Sequence, residues 1–104
     1  MDCMVESTRA LGLSRMARSA QWAIEADRMW ALHWAAEDAA EAAAHNEDWA
    51  AEQAFFAEAD YLRLAAAACG KASRIAAGLG DWQGPALLRE AEAEARALHP
   101  AVGL

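Results

Sequence analysis

Two long stretches of this chain carry mostly apolar residues at alternating spacings of four and three. The first runs Trp22, Ala26, Met29, His33, Ala36, Ala40, Ala43, and the second Ala51, Phe55, Glu58, Leu62, Ala65, Cys69, Ala72, Ala76. Such spacing lines side chains up along one stripe of an α-helix, the pattern of a heptad seam. A strand would need alternation by two and a supply of β-branched residues, and both are nearly absent. The chain is predicted to be all-α and to form one domain, residues 1–104.

Punctuation sets the expected boundaries. Ser14 can cap a helix over about 15–44, and Asn46 a second over about 47–77, with Glu47 and Asp48 in its first turn. The break Gly78-Leu79-Gly80 ends it, and Gly84-Pro85 opens a third helix over about 85–98. A tight fold at His45-Asn46 makes the first two helices a long antiparallel hairpin and pairs residues whose numbers sum to 91. In that register Met29 meets Leu62, Ala36 meets Phe55, and His33 meets Glu58 as a buried polar pair.

Alanine dominates the apolar content, and five Trp residues must supply much of the bulk. One flank of the hairpin, with Leu32, Ala39, Ala57, Tyr61, Leu64, Ala68 and Ile75, can take the third helix through Leu88, Ala91, Ala95 and Leu98. The other flank carries Met16, Ala23, Trp30 and Trp34, and the N-terminal residues Met4, Val5, Leu11 and Leu13 can cover part of it. A helix over 85–98 is about half as long as either hairpin helix and cannot reach the turn. The exposed apolar flanks are also what a homodimer would cover.

Charge is segregated. Between Met29 and Leu62 lie eight acids, Glu37, Asp38, Glu41, Glu47, Asp48, Glu52, Glu58 and Asp60, and no Lys or Arg. Arg9, Arg15, Arg18, Lys71 and Arg74 fall at the far end. The expected shape is a rod with an acidic tip. A net charge of −7 argues against nucleic acid and anionic membranes as direct partners. No apolar run approaches the ~18 residues of a membrane span. The start, Met1-Asp2-Cys3-Met4, lacks the basic and apolar regions of a signal peptide. Two cysteines make neither a disulfide framework nor a metal pair, so reduced thiols in a cytoplasmic protein are expected. The Ala-, Arg-, Glu- and Trp-heavy composition points to a GC-rich bacterial or phage genome.

Catalytic patterns are missing: there is no Gly-x-Ser-x-Gly, no P-loop and no Cys with a His at helical spacing. His33, Glu37, Glu41 and His45 follow at intervals of four, so neighbours could share a metal, but the Glu-x-x-His pairs of di-iron bundles do not occur. No cofactor, metal or enzymatic activity is expected. The partner-binding candidates are Trp34, Glu37, Asp38, Glu41, Glu47, Asp48, Trp49 and Glu52, acids beside large aromatic rings.

Three resemblances bear on function. Ala10-Leu11-Gly12-Leu13-Ser14-Arg15 resembles the turn of a helix-turn-helix protein. Gly80-Asp81-Trp82-Gln83-Gly84 resembles the Trp-x-Gly turn of WXG100 proteins, helical hairpins exported by type VII secretion. There the turn joins the two main helices, whereas here it precedes a short one. In size and charge the chain resembles many anti-CRISPR proteins, which implies an inhibitor that occupies a nucleic-acid-binding surface. The expected function is therefore a non-enzymatic module that docks its acidic tip on a basic protein surface. The alternatives are a self-assembling or secretion-associated bundle and, behind these, a metal-binding bundle.

Overall fold

The computed structural model describes residues 2–78 and 84–99, with side chains from residue 15 onward. It is all-helical: α1 spans Asp2–His45, α2 Trp49–Ala76 and α3 Pro85–Leu98, within an envelope of 69 × 22 × 18 Å. Ser14 does not cap α1, which runs unbroken from Asp2. The stretch before it holds no Pro and is rich in good helix formers, so nothing stops propagation. That continuity also removes the turn a helix-turn-helix motif needs at residues 10–15. The side chains of Met4, Val5, Leu11 and Leu13, and the turn around Trp82, lie outside the described residues.

All seven positions of the α1 seam are buried, Trp22 and Ala40 completely. On α2 the buried set is Ala59, Leu62, Ala65, Ala66, Cys69, Ala72 and Ala76 along the α1 contact, with Ala68 and Ile75 toward α3. The Nδ1 of His33 donates to the Ala59 carbonyl at 2.7 Å, and Ser73 Oγ donates to the Ser19 carbonyl at 2.8 Å. Both pairs sum to 92, the pairing of a chain that doubles back through residues 46–48.

That sum corrects the expected register by one residue, and the turn explains it. The Asp48 N–H bonds to the Ala43 carbonyl and the Glu47 N–H to the Ala44 carbonyl, a Schellman arrangement. The left-handed residue it requires is Glu47, with φ 57°, and Asp48 rather than Asn46 caps α2 by accepting from the Ala51 N–H. A three-residue turn thus replaces the tight one. One residue is about 100° of helix rotation, so Ala59 faces His33 and Glu58 turns out to solvent.

The third helix lies on α2 through Leu88, Ala91 and Ala95, against Ala68, Ala72 and Ile75. Pro85 starts it, and Gly84 precedes it with φ 109°. Tyr61 donates its hydroxyl to the Leu98 carbonyl. Toward α1 the contact is made by long polar side chains. Glu92, 3% exposed, accepts from Trp22 Nε1 at 2.8 Å with Arg18 Nε at 3.7 Å. The Arg96 guanidinium stands 5.8 Å from the Trp22 ring centroid, and His99 Nε2 meets Glu25 at 3.1 Å.

Two stability measurements follow. Glu47→Gly removes the strain of a side chain in the left-handed region and should raise unfolding free energy by about 0.5–1 kcal/mol in urea titration. A lower value would show that Glu47 is held there by a favourable contact. Trp22→Phe removes the donor to a buried carboxylate together with core volume, and should cost about 2–3 kcal/mol. Trp34→Phe, the same change on an exposed ring, should stay within about 0.5 kcal/mol.

Candidate functional site

The acidic end of the molecule is built by both helices. Glu37, Asp38, Glu41 and Ala44 from α1 and Glu52 and Phe56 from α2 line an open groove of about 370 Å³. Helical spacing explains the assembly. Trp34, Glu37 and Glu41 follow at intervals of three and four on α1, and Trp49, Glu52 and Phe56 do the same on α2. Once the turn closes, the two faces adjoin. Four of the expected carboxylates therefore share one groove. Glu47 and Asp48 sit on the turn instead, and Asp48 already accepts a backbone N–H as helix cap. Trp34 and Trp49 do not line the groove but stand exposed, at 57% and 58%.

Phe56 was not among the expected site residues. The seam claims its neighbour Phe55, which is half-buried, and the adjacent ring is left 48% exposed at the groove. Two adjacent Phe residues on an amphipathic helix cannot both face the core, and that was the available signal.

His33 marks the inner end of the site. Its ring meets Trp30 edge-on at 5.4 Å and Trp34 at 4.9 Å between centroids, and the two indoles stack at 6.3 Å. A carbonyl can only accept, so Nδ1 carries a proton toward Ala59. Nε2 lies 3.3 Å from the Glu37 carboxylate. Glu37 faces the His33 ring, and Asp38, Glu41 and Glu52 have no ion-pair partner among the described residues. No Lys or Arg among the described residues pairs with the acids of the groove. Glu58, expected as the partner of His33, is exposed and takes no part.

Among the described residues no group of three or more His, Cys, Asp or Glu is placed to hold a metal ion. No helix there is long and apolar enough to cross a membrane. Cys69 is fully buried, and burial, then the nearby Glu25 charge, pushes its thiol above the ordinary value of 9.0. A thiol so placed is a poor nucleophile. No protein-family model, curated protein or solved structure matches the chain.

A double-mutant cycle checks the register at the site. Substituting Ala at His33 and Glu58, singly and together, should give a coupling energy below about 0.3 kcal/mol. A coupling above about 1 kcal/mol would restore the expected pair and shift α2 by one residue.

Proposed function

We propose that this chain is a non-enzymatic binding module, an antiparallel helical hairpin whose acidic end docks on a basic surface of another protein. The observation that carries this reading is the groove crossing both helices. It gathers four carboxylates around one exposed aromatic ring, and no Lys or Arg lies between Met29 and Leu62 to neutralise them. Unpaired charge gathered on one surface costs self-repulsion in the free protein, and a basic partner relieves that cost. The rings of Phe56, Trp34 and Trp49 add apolar contacts that charge alone does not supply, and large aromatics are the residues that anchor interfaces. The most specific form of the reading is an inhibitor, bacterial or from a phage, lying where nucleic acid would lie, with carboxylates in the place of phosphates. A self-assembling bundle is the second reading, and the exposed aromatic residues beside the groove favour it.

The test is capture of partners from native lysate by the wild type and by Glu37→Lys/Asp38→Lys/Glu41→Lys. A basic protein held by the wild type and lost by the variant, at equal helicity, is the expected result. Equal capture by both would overturn docking through the acidic groove.

A further inference from the structure

The face of the hairpin turned away from α3 divides into two unlike halves. Toward the turn it is bulky and acidic: Trp34 and Phe56 are exposed beside Glu41 and Glu52. Toward the base α2 is small and basic, and α1 adds Ala23 and the exposed Met16. Ala23 and Gly70 leave little side chain, and the Arg74 guanidinium lies over Gly70, its Nη1 3.4 Å from where a Cβ would stand. Trp30, 36% exposed, lies between the halves. Neither Arg74 nor Glu41 nor Glu52 has an ion-pair partner among the described residues.

We infer that this face binds a second copy of the chain, head to tail, about a two-fold axis beside Trp30. Levels along the hairpin fix the match. Glu41 lies eleven residues from Trp30 toward the turn, and Arg74, level with residue 18, lies twelve residues toward the base. At 1.5 Å per residue both are roughly 17 Å from the axis. The rotation therefore brings Glu41 and Glu52 of one copy over Arg74 of the other. It also carries Phe56 to the level of Ala23 of the other copy, a ring against a small exposed side chain, and sets Trp34 between that Ala23 and the other copy's Trp30. The charge match at both ends uses the same axis, and symmetry makes each contact twice. The parallel alternative sets the acidic ends together and is repulsive. Because Glu41, Glu52 and Phe56 also line the acidic groove, self-pairing and docking of a basic partner exclude one another.

Sedimentation equilibrium of the full chain tests this. The expected mass is that of a dimer, weakened by salt. Trp34→Ala, which removes an exposed ring in favour of a good helix former, should leave a monomer of unchanged helicity. Arg74→Glu and Glu41→Arg should each raise Kd by at least about tenfold, and the combined swap should recover to within about threefold of wild type. A monomeric wild type at about 100 µM, where even weak dimers form, overturns the inference. So does an assembly that neither Trp34→Ala nor Arg74→Glu loosens. Arg74→Glu leaves every carboxylate of the groove in place, so loss of self-pairing is separable from loss of partner capture.

Discussion

One left-handed residue fixes how α2 lies on α1. With Glu47 at φ 57°, the chain leaves α1 through a three-residue turn and enters α2 at Asp48. Every level above and below inherits that offset. A turn shorter by one residue would rotate α2 by about 100° and bring a carboxylate against His33 in the seam. The observed turn puts an alanine there, lets His33 donate to the Ala59 carbonyl, and sends Glu58 to solvent. It also decides which side of α2 receives α3 and which side stays open.

Within that frame the core is thin, and polar groups do part of its work. Alanine on alanine lets α1 and α2 approach closely but buries little area per residue. The third helix packs on α2 through Leu88, Ala91 and Ala95 and reaches α1 with long polar side chains, so its place depends in part on directional contacts. Trp22 to Glu92, Tyr61 to the Leu98 carbonyl and His99 to Glu25 set three points along α3. A buried carboxylate that lost its donor would be costly, and the cost opposes sliding of α3 along the groove.

How much of this could be read from residues alone varies with the kind of signal. The α1 seam was legible in full, because seven positions at strict spacing leave only one stripe to bury. The α3 face was legible at Leu88, Ala91 and Ala95 for the same reason. Glu92 was not, although it shares that spacing, because a carboxylate on a helix is ordinarily solvated. The indole N–H of Trp22, which must find an acceptor once buried, and the nearby Arg18 make it a core residue. The register was out of reach because Asn46, not Glu47, is the residue that normally tolerates the left-handed region. Charge segregation disclosed the four carboxylates of the groove, but an exposed Phe56 carries no charge signature.

The doubled-back chain also imposes an order on folding. Residues paired near the turn are separated by few positions, whereas Ser19 and Ser73 are separated by 54. Closing a loop costs more entropy as it lengthens, so contacts nearest the turn are the least expensive to make first. The seam then closes from the acidic end toward the base, like a zip. Substitutions at Ala40 or Ala43 act mainly on the rate of folding, and those at the Ser19–Ser73 level on the rate of unfolding, a division that chevron kinetics resolve.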